Sequence, residues 1–183
     1  MGHATRRPTL VLMASLPGAG KTTLALALAR ALDWPVIDKD TLKSPLVVAG
    51  IANGLAGPTA YELLFAVGRD ILVRQGRSVI LDSPALYAIC IEQAQRIAAE
   101  GDADLKVILC LAESGVRNAR MAARQPLPSQ LGSDRASTLE QDRARFAHLP
   151  ADTCTLASAR PLSTLVEKAL AYVRMPADER GSA

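Results

Sequence analysis

Residues 15–22, Ser-Leu-Pro-Gly-Ala-Gly-Lys-Thr, place two glycines, a lysine and a hydroxyl at a spacing suited to holding a chain of phosphates. Gly18 and Gly20 let the backbone close around anionic oxygens with successive N–H groups. Lys21 supplies a point charge for the outer phosphates, and the Thr22 hydroxyl is a magnesium ligand in loops of this kind. Pro17, Ala19 and Thr23 complete the stretch expected to touch the nucleotide. The helix that follows adds a positive N-terminus. One letter departs from G-x-x-x-x-G-K-[ST]: Ser15 stands where the first glycine would be, and serine resists positive φ.

Three acids stand where they could serve the same chemistry. Val36-Ile37-Asp38-Lys39-Asp40 ends one apolar segment, and Thr41-Leu42-Lys43 begins a helical one. Asp38 and Asp40 share a side of an extended chain, and a carboxylate there can take the proton of an attacking hydroxyl. Asp40 could instead cap the following helix, and Asp38 could pair with Lys39 or Lys43. Val79-Ile80-Leu81-Asp82 has the Walker B pattern, which makes Asp82 a second candidate magnesium ligand beside Thr22. The plain alternative is an aspartate opening the Ser83-Pro84 turn.

Arg117, Arg120 and Arg124 follow at i, i+3 and i+7, one face of a helix beside a polar loop. Arginines there could clamp the phosphates when the loop closes, with Arg120 and Arg124 nearest the loop. A solvated amphipathic face is the other reading. Arg69 and Asp70 could border an acceptor pocket or form an exposed ion pair. His148 reads as structural, and Trp34 as packing at a helix-to-strand junction.

The elements that must position these groups alternate. Strand signals cover 9–16, 35–38, 78–82, 105–111 and, more weakly, 153–157. Helical patterns cover 22–32, 41–49, 59–75, 85–100, 115–124, 138–148 and 162–173. Strands that are apolar almost throughout, separated by helices, require a parallel sheet covered on both faces, the α/β class. Ligands in such sheets sit beyond the carboxyl ends of the strands, where the phosphate loop and the acids all fall. Residues 49–58 are glycine-rich and read as a loop. Residues 125–137 read as a long polar loop of the kind that often serves as a lid.

The 183 residues suffice for one domain with a sizeable core. Apolar residues are 49% and aromatics 3%, so Ala, Leu and Val carry the packing. No apolar run is long enough to span a membrane, and the run behind Arg6-Arg7 enters the phosphate loop, unlike a secretory signal. A net charge of +3 suits a protein that handles anionic nucleotides and falls short of a dedicated nucleic-acid surface. Three widely spaced cysteines, Cys90, Cys110 and Cys154, imply a reducing cytoplasmic setting with neither a disulfide framework nor a zinc site.

The Leu-Pro-Gly-Ala-Gly-Lys-Thr-Thr loop, Asp-Lys-Asp-Thr-Leu after the second strand, Val-Ile-Leu-Asp and the lid-like arginines together resemble the small P-loop kinases. The group includes zeta toxins, chloramphenicol phosphotransferase and polynucleotide kinases, often placed with the AAA family ATPases. The resemblance covers roughly residues 10–173. It implies a three-layer P-loop NTPase sandwich with a five-stranded parallel sheet ordered 2-3-1-4-5. The kinase domain would span 9–174 with a lid at about 113–148, an N-terminal extension at 1–8 and a flexible tail at 175–183. It also implies ATP and Mg²⁺ at the loop, Asp40 as hydroxyl-activating base with Asp38 as alternative, Asp82 on the metal side, and Arg120 and Arg124 from the lid. The implied activity is transfer of the γ-phosphoryl of ATP to a hydroxyl of a metabolite or antibiotic. Few aromatics argue against a nucleic-acid channel, and the chain is short for a peptidoglycan-precursor kinase. A nucleotide-dependent binding module, a weak ATPase and a 5′-hydroxyl polynucleotide kinase are the alternatives, and the protein could act as a monomer or a homodimer.

Overall fold

A computed structural model describes residues 7–125, 127–130 and 137–175. β1 (Thr9–Ser15) is buried along its whole length. Its alternate residues feed two different cores, as the two-residue period of a strand requires. Leu10, Leu12 and Ala14 face α3 (Asn53–Arg69) and α4 (Ala88–Glu100). Val11 and Met13 face α1 (Lys21–Leu32) and α7 (Leu162–Arg174). A sheet with helices on both faces follows directly, which is why its strands lack polar alternation.

The sheet is parallel throughout. Its order is β2 (Val36–Asp38), β3 (Val79–Asp82), β1, β4 (Asp104–Leu111) and β5 (Cys154–Ala157). This is the 2-3-1-4-5 order that the resemblance implies. Register does the positioning: Met13 stands opposite Asp82, and Asp82 opposite Asp38. The carboxyl ends of β1, β2 and β3 therefore meet at one edge. The start of the phosphate loop is stitched there to the turn after β3 by Ser15 N–H donating to the Pro84 carbonyl (3.2 Å).

One expectation is overturned. Residues 49–58 are mostly helix: α2 (Lys39–Val48) ends just before them and α3 begins at Asn53. Gly54, Gly57 and Pro58 favour a loop by propensity, and Pro58 leaves the Gly54 carbonyl without its helical donor. Ala56, Ala60, Leu64 and Phe65 are nevertheless buried at helical spacing. Their packing outweighs the local penalty. α3 runs on into a single π-helical turn, Asp70–Arg74.

The polar segment after α5 (Ser114–Ala123) is less open than its composition suggests. A 3₁₀ turn, Pro128–Gln130, packs on α2. Thr138 and Gln141 then form a reciprocal capping box that starts α6 (Leu139–Ala144). The helix expected over 138–148 thus gives way to turns after six residues. Residues 126 and 131–136 of the expected lid loop lie outside the described residues, as do 1–6 of the N-terminal extension and 176–183 of the tail. No helix among the described residues is long and apolar enough to cross a membrane.

Candidate active site

The phosphate loop leaves β1 as a turn and becomes α1 at Gly20, whose φ of 86° is open to glycine at little cost. Gly18 also has positive φ, 77°, and a side chain there would come within 2.5 Å of the Arg117 carbonyl oxygen. Both glycines are thus required, one by conformation and the other also by the α5 backbone lying across it. Ser15 needs no such freedom. It ends β1, buried and hydrogen-bonded, and is not among the positive-φ residues. The departure from the motif therefore costs the turn nothing.

Lys21, first residue of α1, pairs with Asp82 Oδ1. Asp82 is completely buried, and its second oxygen, Oδ2, has no hydrogen-bond partner. A buried carboxylate oxygen left open beside a hydroxyl-bearing loop suits a hard cation that takes oxygen ligands. The residues present therefore fit Mg²⁺, with Thr22 and Asp82 the groups that would hold it.

Asp38 and Asp40 divide the roles that the sequence left open. Asp38 is the N-cap of α2: Oδ1 accepts from Asp40 N–H (2.9 Å) and Oδ2 from the Thr41 hydroxyl (3.3 Å). Burial and the nearby Asp82 charge raise its pKa against the opposing Asp40 amide. Asp40 is inside the helix and lines a cleft of about 530 Å³ with residues 15–23 of the phosphate loop. Its Oδ2 accepts from Gln130 Nε2 (2.8 Å), and its Oδ1 lies 3.1 Å from Lys39 Nζ. Burial alone would raise the Asp40 pKa, but the Gln130 hydrogen bond and the Lys39 charge outweigh it and hold the carboxyl below its ordinary value. Asp40 thus faces the cleft with a quarter of its side chain exposed, while Asp38 is spent on the helix cap.

Gln130 carried no sequence signal. Its Oε1 accepts from Leu127 N–H (3.4 Å), which orients the amide so that Nε2 is left for Asp40. Ser129 and Ser44 hydroxyls, 3.0 Å apart, both lie on the Asp40 carbonyl, at 3.2 and 2.8 Å. The turn after α5 thus grips Asp40 by main chain and side chain across 90 residues of sequence.

The three arginines part company. Arg117 is buried, donating to the Ala112 carbonyl (2.8 Å) and the Ser137 hydroxyl (3.0 Å) and pairing with Asp142. Its task is to fasten α5 over the phosphate loop. Arg120 donates to the Ser158 hydroxyl (3.0 Å) and carbonyl (2.9 Å), above Gly20. Arg124 is exposed at the mouth of the cleft. Arg120 and Arg124 line the cleft with Lys21; Arg117 does not.

The remaining candidates fall away from the site. Arg69 forms a bidentate pair with Glu100, and Asp70 pairs with Arg74 (2.8 Å), so neither borders the cleft. His148 Nε2 lies 3.0 Å from the Ala85 carbonyl, where φ is 49°, a structural contact as expected. Trp34 packs beside α1 and α7. All three cysteines are free, and burial pushes the Cys110 thiol up to about 12.

A family model described as an AAA domain matches residues 10–149. The chain belongs to the AAA-domain family. None of the curated proteins matches it. Among solved structures, this AAA-domain chain is similar to a Chloroflexus aurantiacus protein assigned provisionally as a kinase, with 23% identity and a TM-score of 0.72 over 93% of this chain and 98% of that one. It is similar to a sugar kinase from Janibacter, 20% identical with a TM-score of 0.65 over 96% and 99%. It also resembles the APS kinase of Mycobacterium tuberculosis solved with AMPPNP and APS, 18% identical with a TM-score of 0.66 over 93% and 99%. These likenesses establish the fold, a P-loop sheet shared with kinases.

Proposed function

We propose that the protein is an ATP-dependent phosphotransferase that moves the γ-phosphoryl group to a hydroxyl of a small molecule. The observation that carries this reading is a single cleft lined by the phosphate loop, by Arg120 and Arg124, and by the ionised carboxylate of Asp40. A carboxylate held across from the phosphates suits a nucleophile that must lose a proton as it attacks. The sugar kinase and APS kinase neighbours support a hydroxyl acceptor by analogy.

Phosphoryl transfer asks the protein mainly for position and charge. The loop amides and Lys21 hold the β- and γ-phosphates, which requires Lys21 to turn from Asp82 toward them. Asp82 and Thr22 would hold Mg²⁺, which when bound neutralises charge on the phosphate oxygens. The acceptor oxygen bonds the γ-phosphorus, the bond to the bridging oxygen breaks, and ADP departs. The hydroxyl proton passes to Asp40. Arg120 and Arg124 stabilise charge on the transferring group and help exclude water.

The test is MgATP consumption across hydroxylated metabolites, antibiotics and 5′-hydroxyl oligonucleotides, with Lys21→Ala as control. Stimulation by one small-molecule class, with a phosphorylated product seen by mass, is the expected outcome. Tight ATP binding that nothing stimulates would replace this reading with a nucleotide-gated binding module. Stimulation by oligonucleotides, with steep salt dependence, would replace it with a nucleic-acid kinase.

A further inference from the structure

Lys39 stands where local energetics disfavour it. It is the first residue of α2, where the helix dipole repels a cation. Its side chain is only 12% exposed, most of it covered by protein. A lysine at a helix start can extend into solvent; this one lines the cleft. It is braced 5.3 Å over the Tyr61 ring, with Asp40 as its anionic partner. The fold has no evident need of the charge: Asp38 already caps α2, and Tyr61 stacks on Phe65 against the core. A breach of a local rule without a structural return marks a functional position.

Transfer chemistry then removes the partner. Once the acceptor oxygen has bonded phosphorus and its proton has moved to Asp40, that carboxyl is neutral. Lys39 then keeps the Tyr61 ring but loses its anionic partner, an unfavourable arrangement for a mostly covered side chain. A negative group on the acceptor, within reach of Lys39, removes the penalty as it arises. The rest of that wall agrees. Ser129 and Gln130, both held on Asp40, are neutral and polar, Arg124 at the mouth is a second cation, and no aromatic ring lines the cleft among the described residues. Such a wall suits a small polar acid better than a flat apolar drug.

We infer that the acceptor is a small hydroxylated acid whose carboxylate, sulfate or phosphate group pairs with Lys39 while its hydroxyl faces Asp40. This rests on the kinase reading of the same cleft, so the test separates the two. Binding is measured by calorimetry on the full chain with Mg²⁺ and a non-hydrolysable ATP analogue. The probes are glycerate and glycerol 3-phosphate against glycerol, and gluconate against glucose. The same probes are then offered with ATP, and products are read by mass.

At least one acid binds, and its neutral counterpart binds roughly ten-fold or more weakly, as loss of a desolvated charge pair implies. Lys39→Met, which keeps the contact with Tyr61 but not the charge, erases that difference, and Lys39→Arg keeps part of it. Equal affinity for acid and neutral probes, no binding of any acid at millimolar concentration, or equal weakening of both by Lys39→Met would overturn the inference. Lys39-dependent acid binding without any phosphorylated product would sustain it and overturn the kinase reading. Phosphorylation of a neutral probe with no preference for acids would do the reverse.

Discussion

The two ends of the cleft are built on opposite plans. At the phosphate end the working groups are mostly main chain: loop amides, a helix start and two glycines, fixed by strands with no exposed surface. At the end proposed for the acceptor they are side chains from two short segments, the first turn of α2 and the 3₁₀ turn at Pro128–Gln130. The phosphate end needs little more than a backbone path to recognise a ligand common to many proteins. The end around Asp40 must be assembled by tertiary contact, and on the kinase reading it is where specificity would arise.

Substitutions at the two ends should therefore fail differently. The largest effect falls at Lys21. Lys21→Met should lower transfer by about 10³-fold and strand the buried Asp82 charge, costing about 3 kcal/mol of stability. Adding Asp82→Asn should return much of the stability and none of the activity, which denaturation and turnover measured together would check. Next is Arg117→Met, with a comparable loss of about 3 kcal/mol, because Asp142 is left charged and buried. A lowered melting temperature with weakened ATP binding would show that α5 supports the phosphate loop.

Asp40→Asn should spare ATP affinity and folding yet reduce transfer by about 10²-fold or more. Equal loss of ATP affinity would erase the distinction between the ends. Gln130→Met keeps the length of the side chain and removes the donor to Asp40. Turnover should fall by about ten-fold, and the acid limb of its pH profile should move upward, since the lowered pKa depends on that bond.

The smallest effect is on stability against pH. Asp40 has a depressed folded pKa, so its pairing stabilises above the unfolded carboxylate value of about 3.9 and is lost as pH falls through the folded value. Asp38 has a raised pKa, so its contribution is most favourable in acid and is lost as pH rises through the folded value. Relative to wild type, Asp40→Asn should be less stable at pH 7 by about 1 kcal/mol or less. Asp38→Asn, which preserves the cap, should gain at the same pH. Both differences should close in acid, as melting curves across pH would reveal.

The same contrast explains what was legible in the sequence. The loop, Asp82 and the strand pattern are local signals, because spacing along the chain fixes spacing in space. Asp40 is legible as a candidate; that Asp38 and not Asp40 caps α2 is set by the fold. The start of α3 is hidden in the sequence because Gly54, Gly57 and Pro58 speak for a loop, while the packing that makes them helical comes from elsewhere. Arg117, grouped by helical spacing with Arg120 and Arg124, is turned inward by Asp142, a partner 25 residues away. Gln130 left no trace, since an amide in a polar loop acquires meaning only beside Asp40.

The central claim is that one cleft serves ATP at one end and a hydroxyl acceptor at the other. It is tested most directly by measuring ATP affinity and acceptor-stimulated phosphoryl transfer side by side in wild type and Asp40→Asn. Unchanged ATP affinity with transfer reduced by about 10²-fold is the predicted result. Undiminished transfer, or no acceptor-stimulated transfer in the wild type across the full panel, would contradict it.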